Sequence, residues 1–405
     1  MGVHVHSPRE GKFPAMERLQ PRALTPAASA HLDLIRGLAA WAVMWGHVRA
    51  LFFVDFQRLQ HPDLIVKTIY VVTGFGHQAV MVFFVLSGFL ISAAIISRRM
   101  SGSWSWRDYA IDRLSRLYVV LVPGLVLGLF WDGVGGHIFS SAGLYSHPLQ
   151  GFGAAIAQNQ LTARLFLGNL IFLQTIVCPT FGSNGPLWSL ANEFWYYVLF
   201  PVALTAGIAW ARKSVRWAIP MSILAICVAL FVGRDILLGF LVWLTGTVLV
   251  FAYSRIRFSS KNWLMLYAII SSLALSVCLV AARTRRWPLL GSDVAIGVAF
   301  GFVLFAVVQI EMREDSRYYT RIAHFLAGFS YSLYVLHFPF LLFLRSWLVP
   351  AEKWQPDRTH LFYFVLIGAA ALSFAWLVST FTESKTRVVR NWLKGVIPLF
   401  DGRSA

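Results

Sequence analysis

The chain has 405 residues, of which 58% are hydrophobic and only 13% are charged. Soluble domains carry about 25% charged residues, so this composition excludes a soluble globular protein and indicates a polytopic membrane protein. The net charge of +17 is explained by Lys and Arg in cytoplasmic loops, and anion binding can coexist with that explanation.

Apolar runs of about 17–25 residues predict an all-α protein with about ten transmembrane helices. Residues 1–30 are polar and rich in Pro and Ala, which predicts a disordered cytoplasmic tail. The transmembrane domain is expected over 31–390, and a second cytoplasmic tail over 391–405. The predicted spans are 32–54, 75–97, 114–132, 187–209, 216–233, 235–254, 263–282, 293–311, 322–346 and 361–382.

Lys and Arg are concentrated in the loops that face inward if both termini are cytoplasmic, so this orientation is predicted. One outer loop, Arg283–Arg286, is basic against that rule. We interpret it as the contact of an anionic partner, and a miscounted span is the alternative. The segment 161–177 is too short and polar for a span, which indicates an interfacial or re-entrant helix.

The first span, LDLIRGLAAWAVMWGHV, contains Arg36 and His47. Ionisable groups in hydrocarbon are costly, so they mark a functional site by default. Eleven residues make about three helical turns, which puts both side chains on one helix face and about 16 Å apart. Asp33 is expected to pair with Arg36 or to cap the helix.

In span 2, the small residues Ser87, Gly88 and Ser92 favour close helix packing. At the inner end of span 3, Arg113 and Arg116 follow Arg98, Arg99 and Arg107. Guanidinium groups that converge on one membrane face make a good phosphate receptor. The alternative is the ordinary inside bias of basic residues together with snorkelling to lipid headgroups.

Span 4 contains GPLWSLANEFWYY. Glu193 is predicted about 10 Å below the outer surface, which is also the depth predicted for His47. An acid–base pair is then plausible, and a structural polar contact between helices is the alternative. Trp188, Asn192 and Tyr196 are candidates for acceptor binding, although aromatic residues are common near membrane interfaces.

Span 9 contains YSLYVLHFPF, in which His337 is again in the outer third. It is a candidate acceptor-binding residue, and the alternative is a structural partner of the kink at Pro339. The three cysteines, Cys178, Cys227 and Cys278, form neither a CxxC nor a zinc pattern. No metal site or disulfide framework is predicted.

Over about residues 30–390 the chain resembles the acyltransferase-3 family of bacterial integral membrane acyltransferases. The resemblance rests on seven segments in the family's order. They are LDLIRGLAAWAVMWGHV, FFVLSGFLIS, DRLSRLYVVLVPG, FLGNLIFLQ, GPLWSLANEFWYYVLFP, FSYSLYVLHFPF and FTESKTR. The last motif usually has Pro two residues after the Glu, where this chain has Lys385.

The resemblance implies transfer of an acyl group, typically acetyl, from cytoplasmic acyl-CoA to a hydroxyl of a surface polysaccharide, lipopolysaccharide or lipid-linked glycan. It implies Arg36, His47 and Glu193 as catalytic residues, and Arg113 and Arg116, with Arg36, as the acyl-CoA site. No bound cofactor and no nucleic-acid partner are expected. The other expected partners are membrane lipids and, as one possible assembly, further copies of the chain in a homo-oligomer. The expected location is the bacterial inner membrane.

Two other function classes fit parts of the sequence. Intramembrane His, Glu and Arg also occur in transporters of small acids or glycan intermediates, although neither an inverted repeat nor a pair of broken helices is visible here. A structural role in a glycan-export complex would leave function intact after His47→Ala.

Overall fold

The computed structural model describes residues 21–139, 145, 161–283, 289–311, 316–349 and 352–397. Within these ranges the regular elements are helical and no β-strand occurs, which confirms the all-α class there. The α-helices are α1 (Pro26–Phe52), α2 (Leu64–Val72), α3 (Gly76–Met100), α4 (Trp106–Ile138), α5 (Ala163–Leu170), α6 (Leu187–Ala211), α7 (Val215–Arg255), α8 (Lys261–Arg283), α9 (Leu289–Val307), α10 (Arg317–Gly328), α11 (Ser330–Leu348), α12 (Arg358–Phe381) and α13 (Thr386–Val396). Short 3₁₀ helices cover Phe56–Arg58 and Glu383–Lys385.

Parts of three predicted segments lie outside the described residues. They are 1–20 of the predicted first tail, 398–405 of the predicted second tail, and Arg285 and Arg286 of the basic outer loop. The helical region begins at Pro26, before the predicted domain start, and α13 continues to Val396, beyond the predicted domain end.

Local capping sets where α1 begins. The side chain of Thr25 accepts a hydrogen bond from the backbone N–H of Ala28 at 3.1 Å. Pro26 is the first residue of the helix. A backbone N–H at this position would have no partner within the helix, so proline, which lacks one, is well tolerated there. These two residues start the helix before the predicted span and place Arg36 well inside it.

Six stretches of the described chain are long and apolar enough to cross a membrane, and the number is seven if α10 and α11 are counted as one bent span. The bend between α10 and α11 is 46°. Each of the ten predicted spans overlaps a described helix. The number of ten crossings and the cytoplasmic location of the termini stay predictions.

The chain reverses direction inside α7, at Gly233. This residue has φ 78° and ψ 178°, which interrupts the helical backbone. The first half of α7 runs antiparallel to α6, and the second half runs parallel to it. The contacts that establish these directions are Trp195–Phe231 and Trp210–Ser222 for the first half, and Tyr196–Phe240 and Phe200–Trp243 for the second half. Predicted spans 5 and 6 therefore correspond to the two halves of α7.

The helix directions give the bundle two distinct ends. Helices α1 and α10–α11 run parallel, because His31 contacts Tyr319 and His47 contacts His337 farther along both helices. We call the end near Arg36 and Arg116 the arginine end, and the end near His47 the histidine end. The arginine end is the one that the sequence predicts to face the cytoplasm.

Helix α3 and the second half of α7 pack almost backbone to backbone. A Cβ on Gly88 would collide with the carbonyl oxygen of Trp243, and a Cβ on Gly246 would collide with the α3 backbone. The hydroxyls of Ser92 and Thr247 are hydrogen-bonded at 2.6 Å across the same interface. This confirms the prediction that the small residues of span 2 serve close helix packing.

Candidate functional site

Three arginines predicted to bind acyl-CoA line one cavity between α1, α3, α4, α6 and α11. We call it the arginine cavity. Its charged and phenolic lining residues are Arg36, Arg113, Arg116, Glu193, Tyr197, Tyr331 and Tyr334. Much of the remaining wall is apolar and comes from α3, including Phe83, Leu86 and Leu90. The cavity therefore combines cationic groups with a hydrophobic wall.

Arg36 is held at this cavity by Asp33. A guanidinium nitrogen lies 2.8 Å from a carboxylate oxygen of Asp33, one helical turn earlier, which confirms the predicted pairing. The other carboxylate oxygen of Asp33 accepts a hydrogen bond from Nδ1 of His324 at 2.7 Å when that ring carries its proton there. Asp33 thus links α1 to α10 and restricts the direction of the Arg36 side chain.

Two carboxylates face these arginines. Glu193 and Glu383 both interact electrostatically with Arg36 and with Arg116. Glu193 also accepts a hydrogen bond from the hydroxyl of Tyr197, one turn along α6. The resulting cluster has two cations and two anions, which lowers the cost of charge in the interior.

Glu383 is a site residue that the sequence analysis quoted within a motif but did not select. One of its oxygens accepts hydrogen bonds from the backbone N–H and the hydroxyl of Ser332, both at 2.9 Å. Ser332 lies in the first turn of α11, where backbone N–H groups lack helical partners. The available signal was a carboxylate directly after the last apolar run, within FTESKTR.

His47 is paired with His337. Nδ1 of His47 lies 2.8 Å from Nε2 of His337, and the two rings are stacked with centroids 5.0 Å apart. His337 was predicted to bind the acceptor, and in the structure it contacts His47, the catalytic candidate. Phe338 covers the edge of His47, with ring centroids also 5.0 Å apart.

Hydrogen bonding fixes the tautomers of this pair. Nδ1 of His337 lies 2.8 Å from the carbonyl oxygen of Leu333. A carbonyl only accepts, so in neutral His337 the proton is on Nδ1 and Nε2 is the acceptor. Nδ1 of His47 then donates to that acceptor, which leaves Nε2 of His47 as the ring's basic nitrogen.

The exposed side of His47 lines a second cavity, which we call the histidine cavity. It has a volume of about 300 Å³, and its lining includes His47, His77, Trp188 and Phe338. Val80 and Tyr334 line both this cavity and the arginine cavity. The two cavities are therefore neighbours that share a wall, and Arg36 and His47 of α1 face one cavity each.

The predicted match in depth between Glu193 and His47 is wrong. Ser189 is hydrogen-bonded to Tyr334 at 2.5 Å, and Tyr334 lies one turn from His337 toward the arginine end. Glu193 lies a further turn away from Ser189 in that direction, so about 10 Å of helix separates its level from that of His47. The predicted depth of Glu193 assumed that the start of α6 lies at the membrane surface.

The start of α6 is instead buried in the protein. Leu187 has no exposed surface, and the preceding Ser183 and Asn184 are also buried. Asp132 of α4 accepts hydrogen bonds from the backbone N–H and the hydroxyl of Ser183, both at 2.7 Å. The segment between α5 and α6 therefore folds into the bundle, and α6 begins below the surface.

The four predicted acceptor residues are found in different places. Trp188 lines the histidine cavity and a third cavity, and Asn192 lines the third cavity. Tyr196 is fully buried, with its ring against Phe84 and Phe240, so it belongs to the core and not to a cavity wall. Tyr196 and His337 are thus both fully buried, and their assignment to the acceptor stays a prediction.

Two of the other arginines that are predicted to face the cytoplasm are engaged elsewhere. Arg98 forms an ion pair with Asp112 at 2.9 Å. Arg99 donates a hydrogen bond to Thr205 at 2.5 Å and lies over the ring of Trp104. Among the residues that the structure describes, no group of three or more His, Cys, Asp and Glu side chains is arranged to hold a metal ion.

Comparison with known proteins gives one family and several relatives. Residues 29–380 match the acyltransferase-3 family, which is described as an acyltransferase domain. A Bacillus subtilis (strain 168) protein, provisionally named a peptidoglycan O-acetyltransferase, is 28% identical over 164 residues, which cover 39% of this chain and 24% of that protein. Two Staphylococcus aureus proteins, from strains MRSA252 and COL, are provisionally named O-acetyltransferases and are each 22% identical over 358 residues.

The Staphylococcus matches cover 80% of this chain and 56% of each relative. The chain therefore spans little more than half the length of these relatives, and less of the Bacillus protein. No solved structure matches the chain.

Proposed function

The chain belongs to the acyltransferase-3 family, and we propose that it is an O-acyltransferase of the bacterial inner membrane. In this proposal it moves an acyl group, acetyl by default, from cytoplasmic acyl-CoA to a hydroxyl of a cell-surface polysaccharide, lipopolysaccharide or lipid-linked glycan. The provisional names of the relatives, which include peptidoglycan O-acetylation, support a glycan acceptor.

One observation carries the proposal. The arginine cavity and the histidine cavity share Val80 and Tyr334 as lining residues, so a cationic site and a basic imidazole open on neighbouring spaces. A transfer enzyme with its donor on one side of a membrane and its acceptor on the other needs such an arrangement. The thioester would cross from the first space toward the second.

In the proposed donor complex, Arg36, Arg113 and Arg116 bind phosphate oxygens of acyl-CoA near the arginine end. Arginine suits this role because its planar guanidinium binds phosphate through two parallel hydrogen bonds. The apolar α3 wall suits the uncharged arm that carries the thioester. Arg36 and His47 are about 16 Å apart along α1, so we assign Arg36 to donor anchoring and not to the reacting carbonyl.

In the proposed reaction, Nε2 of His47 takes the proton of the acceptor hydroxyl. The hydroxyl oxygen attacks the thioester carbonyl carbon, the new C–O bond forms, and the C–S bond breaks. The CoA thiolate leaves and takes up the proton that His47 had received, which returns His47 to its neutral form. The products are therefore an ester and free CoA. His337 acts as a positioning residue, because its hydrogen bond holds His47 in the tautomer that has a basic Nε2.

A covalent relay is the alternative route. His47 would then take the acyl group itself before passing it to the acceptor. Acid-labile acyl label retained on the purified protein in the absence of acceptor, and lost in His47→Ala, would identify that route.

The test of the proposed function is acylation of surface glycans in cells. Wild type, His47→Ala and Arg36→Ala are expressed at matched membrane levels, and surface glycans are analysed by mass spectrometry. We expect loss of acyl groups in both variants and normal acylation in His360→Ala, a histidine outside the two cavities. Unchanged acylation in the first two variants would contradict the proposal and favour a transport or structural role.

A further inference from the structure

A third cavity lies where α7 reverses, and we call it the Gly233 cavity. It has a volume of about 570 Å³, and six consecutive residues of α7, 231–236, line it. Gly233 lies between the two predicted spans that form the halves of α7, so the cavity is located at the histidine end of the bundle, where the chain reverses. A volume of this size admits a small ligand.

His77 and Asp293 form a fixed pair on the wall of this cavity. Nε2 of His77 lies 3.0 Å from both carboxylate oxygens of Asp293, on α9. The His77 ring is stacked on Trp188, with centroids 5.9 Å apart and planes at 21°. A carboxylate from one helix and an indole from another thus hold the imidazole in one orientation.

The position of this pair joins two spaces. His77 and Trp188 line both the Gly233 cavity and the histidine cavity, in which His47 lies. About a third of the His77 side chain is exposed, so its ring is accessible to a ligand. A molecule in the Gly233 cavity that touches Trp188 therefore borders the space that contains the proposed base.

The chemistry of the lining selects a class of ligand. It combines the aromatic side chains of Phe84, Trp188 and Phe231 with an amide, a hydroxyl, an imidazole and charges of both signs. Its polar members are His77, Thr175, Asn192, Arg234, Asp235 and Asp293. Charges of both signs disfavour an anion or a cation as ligand. Donors and acceptors beside an indole suit a neutral ring with many hydroxyls, which offers an apolar face and a hydrogen-bonding edge.

We propose that the Gly233 cavity is the acceptor subsite, which holds a sugar ring of the glycan against Trp188 while the His77–Asp293 pair binds one of its hydroxyls. This inference rests on the proposed function and adds where the acceptor binds. The acceptor enters at the break in α7. It reaches His47 past His77 and Trp188, which line both the Gly233 cavity and the histidine cavity. The donor arrives from the arginine end, so the substrates do not compete for one entrance.

The test is a titration of acceptor at fixed donor. Purified full-length protein is given labelled acetyl-CoA and membranes from a host strain in which the gene is deleted, so the membranes are the probe for acceptor. The rate of label transfer to glycan is measured against the amount of membranes for wild type, His77→Gln, Asp293→Asn and the double variant. Acetyl-CoA binding is measured separately on each protein.

A matched control pair exists elsewhere in the chain. His360 and Asp357 are also a His–Asp pair, with Nδ1 of the imidazole 2.7 Å from the carboxylate, and they line none of the three cavities. Asp357→Asn and His360→Gln therefore control for the loss of such a pair without a change at the proposed subsite.

We expect His77→Gln and Asp293→Asn each to raise the half-saturating amount of membranes by about tenfold, the usual scale for a hydrogen bond to a charged pair. The double variant should be little worse than either single variant, and acetyl-CoA binding should be unchanged. The acceptor subsite would be overturned if the two variants had the same half-saturating amount of membranes as wild type, whether or not their maximal rate was lower. If wild type transfers no label to any membrane component, the proposed function itself fails.

Discussion

Nδ1 of His47 lies 2.8 Å from Nε2 of His337, although 290 residues separate them in the chain. His337 in turn is fixed by the carbonyl of Leu333, so a backbone group of α11 decides which nitrogen of His47 is basic. This relationship gives His337 a specific role that a test of tautomer control can separate from general packing.

Replacement of His337 should therefore distinguish shape from hydrogen bonding. His337→Phe keeps an aromatic ring but removes the acceptor, so we expect kcat to fall by about a hundredfold, the lower range for loss of a general base. His337→Gln retains an acceptor oxygen and should recover part of that loss. Steady-state kinetics with acetyl-CoA measures both, and equal activity of the two variants would contradict tautomer control.

Donor affinity should depend on arginines of the cavity and not on arginines in general. Arg116→Gln should raise the KM for acetyl-CoA by about tenfold, because a charge-assisted contact with phosphate is lost. Arg99→Gln is the matched control, since Arg99 is engaged with Thr205 and Trp104. A similar rise in both variants would mean that surface charge alone attracts the donor.

Glu383 should matter for stability more than for chemistry. Glu383→Gln leaves Arg36 and Arg116 with less opposite charge, so we expect a lower unfolding temperature in detergent. If CoA phosphates bind those arginines, saturating CoA should raise the unfolding temperature more in Glu383→Gln than in wild type. A CoA-induced shift that is equal in the two proteins, or smaller in the variant, would argue against phosphate binding at this cluster.

Close packing of α3 on α7 gives a prediction that does not depend on function. Gly88→Ala puts a Cβ against the carbonyl of Trp243 and should cost about 1–3 kcal/mol, the usual penalty for overpacking. Gly207→Ala on α6 has open space for its Cβ and should leave stability unchanged or slightly higher. Thermal unfolding of the purified variants measures the difference, which vanishes if the α3–α7 interface is loose.

Much of the fold followed from the sequence because helices in a membrane satisfy their backbone hydrogen bonds within one segment. Apolar length, caps and spacing are local properties, so the helical segments and the common face of Arg36 and His47 could be predicted. The Asp33–Arg36 pair is equally local, since the two residues lie one turn apart on α1. For the same reason, the small residues of α3 were predicted to serve helix packing.

Only the tertiary structure decided which distant groups meet. Glu193 was assigned a wrong depth because the buried segment before α6 starts that helix inside the bundle, and a hydropathy pattern contains no such information. His47 contacts His337, Ser332 contacts Glu383, and His77 contacts Asp293. In each pair, the second residue is brought in by a separate helix or turn. Such contacts depend on the packing of whole helices, so the spacing along the chain determines which face a residue occupies but not what that face touches.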